Sequence, residues 1–574
     1  MITGSGPGTR VGRHVTSRIR ARGWLRTESP LHVGGLARDP SEPLPIALDG
    51  LGRLHVPGTT LAGVLRSWSR GIDTDPGALG EFWGFTQWGG DGGRASRVIV
   101  ADALITAEPR LNDRGLPAVP LDPDRLEFRH SVGIDRVTGT AAQEFLYGRA
   151  VVPAGCYLRM EIDVESHLDG AVDEARMGSL LAALSAGEVR IGAATGRGLG
   201  AVRLLDDPFE LLVDRFDSRA GLLAVLRGDP ARGRSVASLC SAGPELPPRR
   251  DLLDVRVVWR PRAPVMVRAA SGGLVVDTSP SATQADRHHV TLPLTTRVDR
   301  HHVTLTVPGG SIKGALRAHA ELVEHTARGS FAPEAPSAEP GASAAEHSAA
   351  FRARLDRLRA VGALFGSAPG AGDRRAGALR AEECTALVTV PDELWGLVTG
   401  TEAHPQDGTG QAVAAREVEE IGVAEGGEAE SEEEPGRALA DSVRDRLEDL
   451  GMARADHVAL DRWTGGAAPG RLFGVLEPRG VEWEPIRLSV DLTRLGDERD
   501  SALALLLLTL RDLAAGRILL GALVNRGFGD VDVTEITLTG GPWPGQVTLS
   551  RALEGPETAP IAQAWTDYLA QEVA

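Results

Sequence analysis

Residues 56–66 read V-P-G-T-T-L-A-G-V-L-R, and residues 307–317 read V-P-G-G-S-I-K-G-A-L-R. In both segments a Pro-Gly pair precedes apolar residues at helical spacing, so each segment predicts a helix that begins near the glycine. Both helices carry a second glycine one turn later and then an arginine. A helix start repeated in this detail indicates that one structural unit occurs twice.

Three further motifs repeat in the same order along the chain. Residues 130–139 (H-S-V-G-I-D-R-V-T-G) return at 457–465 as H-V-A-L-D-R-W-T-G. Residues 192–200 (G-A-A-T-G-R-G-L-G) return at 521–529 as G-A-L-V-N-R-G-F-G, and the weaker G-G-L-A-R-D at 34–39 returns as G-G-L-V-V-D at 272–277. Four ordered coincidences indicate two copies of one domain.

The repeats predict the domain organisation. With 574 residues the chain is too long for one hydrophobic core. We predict the first copy at 15–243, a linker at 244–250 and the second copy at 251–555, with disordered insertions at about 328–350 and 400–440. Each copy has the order strand, loop, helix, strand, excursion, helix, strand. That order predicts an α+β fold of two tandem RRM-like (ferredoxin-like) domains with long insertions.

Individual elements follow from periodicity. We predict strands at 17–33, 97–106, 254–259 and 530–538, helices at 174–186 and 501–514, and a strand, a glycine turn and a strand over 189–204.

Composition excludes several classes of protein. There is no run of about 18 apolar residues, so no membrane span is expected. Arginines at 10, 13, 18 and 20 are not followed by an apolar core, so we expect no secretory signal. Cys156, Cys240 and Cys384 are far apart, which predicts a reducing cytoplasm and no zinc site.

The charge of the chain is unevenly distributed. Residues 401–450 contain 15 acidic and 4 basic residues, so they carry −11 of the net charge of −16 and the remainder carries only −5. Basic surfaces on the domains are therefore compatible with the acidic total. Lys313 is the only lysine of the chain, which suggests that a compact ammonium group is needed there.

The repeated helix start has a chemistry of its own. Backbone N–H groups and the helix dipole favour a phosphate at such a start, and Thr59 or Thr60 can cap the first helix. Arg66 and Arg317 lie on the same face as the helical glycines and can reach a phosphate or a carboxylate. A capped helix with a surface arginine is the structural alternative.

The other two motifs are open to two interpretations. His130, Asp135, Arg136 and Thr138, with their counterparts His457, Asp461, Arg462 and Thr464, form either a hairpin tip or a set that presents histidine and arginine to RNA. The glycine motifs can form a nest of N–H groups around Arg197 and Arg526. A dinucleotide fingerprint is excluded because a strand, and not a helix, follows the glycines.

Taken together, these residues resemble the RAMP superfamily of CRISPR-associated proteins. The resemblance rests on the P-G-[ST] helix start, the middle D-R-x-T-G and the late G-R-G-[LF]-G, which bracket most of each copy. It is greatest to the crRNA-binding backbone subunits of type III effector complexes, in a fused double form. The resemblance implies RRM-like domains with an inserted thumb or hairpin, and it implies crRNA, target RNA and other effector subunits as partners.

The resemblance also implies which residues approach the RNA backbone. They are Thr59, Thr60, Arg66, Gly196, Arg197 and Gly198 in the first copy, and Gly310, Ser311, Lys313, Arg317, Arg526 and Gly527 in the second. His130, Arg136, His457 and Arg462 of the middle motif complete the candidate RNA-binding set. Binding itself is expected to need no cofactor.

Many subunits of this type cut target RNA with an aspartate and a divalent metal such as Mg²⁺. Pro43 and Thr291 occupy the places where that aspartate is expected, so this chain departs from the pattern. Asp39, Asp277 and Asp286 are the nearby acids that can replace it, and Asp39 and Asp277 match each other across the repeat. Scaffold and endoribonuclease therefore both remain open, as do guide processing by His32, His130 or His457 and a structural role without RNA.

Overall fold

The computed structural model of the protein describes residues 15–36, 43–70, 76–86, 92–134, 141–166, 170–243, 246, 251–273, 290–299, 301–329, 358–367, 376–399 and 433–571. The predicted linker at 244–250 and insertion at 328–350 lie almost wholly outside these residues. No helix of the described residues is long and apolar enough to cross a membrane.

The first copy has a ferredoxin-like sheet. Its elements are β1 (Ser17–Thr27), β2 (His55–Val56), α1 (Gly58–Ser69), α2 (Pro76–Trp83), β3 (Phe85–Thr86), β4 (Gly93–Arg94), β5 (Val98–Val100), β6 (Ala103–Thr106), β7 (Glu127–Ile134), β8 (Ala141–Val151), β9 (Tyr157–Ser166), α3 (Gly170–Ser185), β10 (Val202–Leu204), β11 (Glu210–Arg215), α4 (Arg219–Arg227) and α5 (Val236–Cys240). β1 lies between β9 on one side and β10 and β11 on the other, and β5 and β6 pair with β9. All these pairings are antiparallel.

The alternation of β1 separates a core face from a charged face. Ile19 and Ala21 are fully buried in the core, as period-two patterning predicts. The arginines of the opposite face pair with acids of neighbouring strands: Arg18 with Glu165 at 2.8 Å, Arg20 with Asp214 at 3.0 Å, and Arg22 with Asp163 at 2.7 Å. The charges of this face are thus neutralised within the sheet, so it is a poor surface for RNA.

The second copy repeats this arrangement. Its elements are β12 (Leu252–Pro261), β13 (Arg268–Gly273), β14 (Val290–Pro293), β15 (Thr295–Arg297), β16 (His302–Val307), α6 (Gly309–Ala327), α7 (Arg359–Phe365), β17 (Leu379–Ala381), β18 (Cys384–Thr385), β19 (Val390–Pro391), α8 (Asp392–Thr399), α9 (Glu433–Asp449), β20 (Met452–Leu460), β21 (Ala467–Pro478), β22 (Ile486–Asp491), α10 (Arg499–Ala514), β23 (Val531–Gly540), β24 (Trp543–Thr548), α11 (Leu549–Glu554) and α12 (Thr558–Ala570). The strand order β17-β22-β12-β23 is that of the first copy, which confirms the α+β prediction.

Each copy inserts a β-hairpin between two strands of its sheet, between β6 and β9 in the first copy and between β17 and β22 in the second. These hairpins are β7–β8 and β20–β21. The two copies have separate hydrophobic cores. The second core includes Ile561 and Tyr568 of α12, so that unit extends beyond the predicted boundary at 555.

Three local predictions are wrong. The strand predicted at 17–33 ends at Thr27. No strand precedes the first glycine turn, where only an isolated bridge joins Arg190 to Ala201, because Gly192 has a φ of 85° that bends the chain. The helix α9 begins at Glu433, so residues 433–440 are helical and not disordered. The rest of the predicted insertion at 400–440 lies outside the described residues.

Candidate nucleic-acid interface

The first backbone N–H group of α1 is capped by a carboxylate of the same chain. The N–H of Gly58 donates to Asp102 Oδ1 at 2.6 Å. The N-cap residue is Pro57, which makes no side-chain cap hydrogen bond of its own. The predicted capping by Thr59 or Thr60 is therefore wrong, because both residues lie inside the first turn. Asp102 occupies the position at which the motif predicts a phosphate.

The start of α6 is covered by the glycine turn of the other copy. A Cβ on Gly309 would lie 2.7 Å from the Arg197 carbonyl oxygen, and a Cβ on Gly198 would lie 2.7 Å from the Glu383 nitrogen. The Arg197 side chain passes 3.6 Å from a Cβ built on Gly310. Only glycine fits at such close backbone approaches. Two repeated motifs thus meet each other across the copies.

Lys313 belongs to this contact. Its Nζ donates to the Leu379 carbonyl oxygen at 2.6 Å and lies 3.5 Å from a Cβ built on Gly196. Burial, with the charges of Arg197, Arg317 and Arg380, lowers the pKa of Lys313 to about 8. Ser311 is half-buried in the same turn of the helix. The single lysine of the chain is therefore a packing residue of the contact between the copies and not an exposed phosphate ligand.

Replacing Lys313 by methionine is expected to remove a pH dependence of stability. The lysine pKa is about 8 in the folded protein against an ordinary value of 10.5. The folded state therefore binds fewer protons than the unfolded chain between these values, and this lysine makes stability rise with pH in that window. Between about pH 8 and about pH 10, the melting temperature of the wild type should rise relative to that of the variant. Parallel pH profiles for the two proteins would contradict this assignment.

The equivalent arginines of α1 and α6 differ in their partners. Arg317 Nε pairs with Glu321 Oε1 at 2.7 Å, so its charge is neutralised within the helix. Arg66 is half-buried, and its Nε has no hydrogen-bond partner among the described residues. The residue four positions after Arg66 is Arg70 and not an acid. Of this pair, Arg66 is the one without an ionic partner among the described residues.

Buried and partly buried ion pairs join the two copies. Arg129 of β7 donates to the Thr295 carbonyl oxygen at 3.0 Å and contacts Glu127 at 2.9 Å and Glu383 at 3.1 Å. Arg190 contacts Glu382 at 2.6 Å. Glu127 also accepts from the backbone N–H of Arg297 at 2.7 Å. The inter-copy joint consists of these acids and arginines: Glu127, Arg129, Arg190, Glu382 and Glu383.

The middle motif forms the tip of the second hairpin. Asp461 Oδ1 accepts the N–H groups of Trp463 at 2.8 Å and Thr464 at 3.0 Å, and Gly465 has a φ of 68°. These backbone hydrogen bonds lower the pKa of Asp461. Asp461, Thr464 and Gly465 thus shape the turn, and Arg462 and Trp463 extend into solvent. Trp463 is 96 % exposed.

Trp463 is a candidate site residue that the repeat comparison missed, because valine occupies its place in the first motif. A tryptophan in a polar turn without an apolar pattern around it was the available signal.

His130 and His457 are not equivalent in the fold. His457 pairs with Phe473, whereas Ser131, and not His130, pairs with the corresponding Tyr147. The second motif is one residue shorter, and one residue of offset moves a side chain to the opposite face of a hairpin. His130 is exposed on the outer face. His457 stacks on Phe473 with 5.4 Å between ring centroids and lies 3.0 Å from Glu477.

The glycine turns place one arginine against one hairpin aromatic in each copy. Arg197 donates to the Tyr147 hydroxyl at 2.7 Å, and Arg526 lies 5.1 Å from the centre of the Phe473 ring. Both arginines are exposed. The backbone N–H of each arginine bonds back inside its own turn, so these two amides are not donors of a nest. Gly527, unlike Gly198, has open space around it.

Six predicted residues lie outside the described parts of the chain: Asp39, Asp135, Arg136, Thr138, Asp277 and Asp286. Among the described residues, no group of three or more histidine, cysteine or acidic side chains is arranged to hold a metal ion.

The family comparison agrees with the duplication. The model of the RAMP superfamily matches residues 24–203 and residues 292–532. One match lies in each copy, and each contains the helix start, the hairpin motif and the glycine turn. Comparison with curated proteins gives no match. The chain therefore belongs to the RAMP superfamily of CRISPR-associated, RNA-binding proteins and carries one RAMP region in each of its copies.

Proposed function

We propose that this protein is a crRNA-binding backbone subunit of a type III CRISPR effector complex and that it holds two consecutive segments of one guide. The observation that carries the proposal is the arginine beside a hairpin aromatic in both copies, Arg197 with Tyr147 and Arg526 with Phe473. Target RNA and other effector subunits are the partners that follow from this role.

The chemistry of these pairs suits single-stranded RNA. A guanidinium group contacts phosphate oxygens through its planar fork of donors and also stacks on bases. Aromatic side chains stack on bases without sequence preference, as a subunit that accepts any guide requires. Arg462 and the exposed Trp463 at the second hairpin tip add a further charge and a further ring.

The joint supports the claim that the two units act together. Arg129 and Arg190 each bond to acids of the other copy, and the first glycine turn packs on α6. Buried ion pairs of this type have defined geometry. Two binding units held in one orientation can present two guide segments at a constant spacing.

The test is to isolate the protein together with its native neighbour subunits and to extract the bound RNA. We expect RNA of guide size, and we expect less of it when Arg197 and Arg526 are both replaced by alanine. Replacing Arg110, which is exposed and remote from both glycine turns in sequence, by alanine is the control. A wild-type complex that contains no RNA would overturn the proposal.

Cleavage of target RNA is a separate activity that we assign to Asp39 and Asp277, which match across the repeat. Where a complementary target is cut in the presence of Mg²⁺, the double replacement of these residues by alanine is expected to abolish cutting. Guide binding should be unaffected, since neither residue belongs to the arginine–aromatic pairs. Product analysis on gels measures both cuts, and undiminished cutting by the double variant would exclude these two acids.

A further inference from the structure

Arg149 is a buried cation that has no counterion among the described residues. Three arginines are almost completely buried in the described residues: Arg97, Arg129 and Arg149, at 6–9 % exposure. Arg97 pairs with Asp173, and Arg129 pairs with acids of the joint. The described residues offer Arg149 no carboxylate, and its Nε is buried without a hydrogen-bond partner. An unpaired buried guanidinium is costly, so its presence needs an explanation.

Arg149 has another arginine as its cross-strand partner, Arg129 of β7, and Tyr147 and His32 lie close to it. Its guanidinium lies 5.5 Å from the centre of the Tyr147 ring, and the hydroxyl of that ring accepts a hydrogen bond from Arg197. His32 is buried nearby, with Nδ1 2.7 Å from the Ala150 carbonyl oxygen. Burial, together with the charge of Arg149, lowers the pKa of His32. Burial acts to raise the pKa of Tyr147, but the charges of Arg197 and Arg149 outweigh it and lower that pKa.

The second copy fills the same position with apolar side chains. His32 and Met266 are equivalent in the two copies, because Gly192 packs on the carbonyl oxygen of His32 and Gly521 packs on the carbonyl oxygen of Met266. Arg149 follows Tyr147 by two residues, as Val475 follows Phe473. Met266 and Val475 are buried in a small hydrophobic cluster with Phe528. The fold is therefore complete without a cation at this position, so Arg149 and His32 are features of the first copy alone.

We infer that Arg149, together with Arg197, forms a phosphate-binding pocket that exists only in the first copy. A phosphate group supplies the missing negative charge, and its oxygens accept from the planar fork of a guanidinium. Arg197 is exposed and Tyr147 is 36 % exposed, so the pocket opens to solvent beside the glycine turn. That the phosphate belongs to bound RNA rests on the proposed function. The two copies then hold RNA differently, the first through one additional buried charge.

The test compares RNA affinity across a salt series for wild type and Arg149→Val, which introduces the residue of the second copy. Arg149→Gln, similar in length and uncharged, is measured alongside in case valine disturbs packing, and Arg110→Ala is the exposed-arginine control. We expect about a ten- to hundred-fold loss of affinity, as for a lost hydrogen bond to a charged group. The slope of log affinity against log salt should fall by about 0.7, and the control should change neither quantity.

The outcomes separate this inference from the proposed function. A folded Arg149 variant that binds RNA with wild-type affinity and slope overturns the pocket and leaves the proposed function standing. Inorganic phosphate is the second probe: it should raise the melting temperature of the wild type more than that of Arg149→Gln. If phosphate stabilises the wild type in this way but the wild type binds no RNA, the pocket is supported as a site for a small phosphate ligand and the proposed function is overturned. If neither RNA nor inorganic phosphate distinguishes the wild type from the Arg149 variants, the pocket is overturned.

Discussion

Replacing Arg129 by alanine is expected to destabilise the contact between the copies by about 3–5 kcal/mol, the range for removing one member of a buried ion pair. The side chains of Arg129, Glu127 and Glu383 are 7 %, 12 % and 7 % exposed. The variant leaves two carboxylates at the joint without their shared cation. Calorimetric melting, with hydrogen exchange at β7 and β15, measures the effect.

The pH dependence of this defect has a definite sign. Burial raises the pKa of Glu127, and Arg129 is the largest influence that opposes the rise. Without Arg129 the carboxyl group binds its proton still more tightly in the folded protein than in the unfolded chain. The loss of stability should therefore shrink as the pH falls and Glu127 becomes protonated. Arg110→Ala, at a side chain that is 68 % exposed, should show no such loss, and equal melting of both variants would contradict the role of the joint.

Replacing Trp463 by alanine is expected to weaken binding of single-stranded RNA about 5- to 150-fold, since stacking of a base on an aromatic ring contributes ~1–3 kcal/mol. The ring is 96 % exposed at a hairpin tip whose backbone is held by Asp461. The fold should be unaffected, because the side chain has no core contacts to lose. Fluorescence anisotropy with labelled guide RNA measures the affinity.

The salt dependence distinguishes this change from the loss of a charge. Trp463→Ala should leave the slope of log affinity against log salt unchanged, because no cation is removed. Leu226→Ala, an 82 % exposed apolar residue on α4, is the matched control and should keep wild-type affinity. Wild-type affinity in Trp463→Ala would show that the hairpin tip does not touch the RNA.

Much of the fold was predictable because its signals are local. The Pro-Gly helix starts, the alternation of β1 and the apolar helix at 501–514 each depend on neighbouring residues. The repeated motifs related distant segments of the chain to one another, so the same order of helices and strands could be predicted for both copies. The domain end at 555 was placed too early because the packing of α12 on the second core leaves no local signal.

The candidate site was predicted less well because its properties depend on contacts between distant residues. Lys313 and Arg317 match a phosphate motif, yet one is buried against Leu379 and the other is neutralised by Glu321. The difference between His130 and His457 arises from one residue of hairpin length. Trp463 has valine as its counterpart in the first motif, so the repeat does not select it, and the structure shows that the hairpin tip carries it into solvent.

The amino-acid sequence by itself determined the two-copy organisation, the α+β class and the resemblance to the RAMP superfamily, because repeats and periodicity are properties of consecutive residues. Only the tertiary structure decided which charges remain available. Whether an arginine is free depends on acids brought to it from elsewhere in the chain, as Glu383 is brought to Arg129. Where the described residues bring no acid to an arginine, as at Arg149, its charge is left without a partner among them.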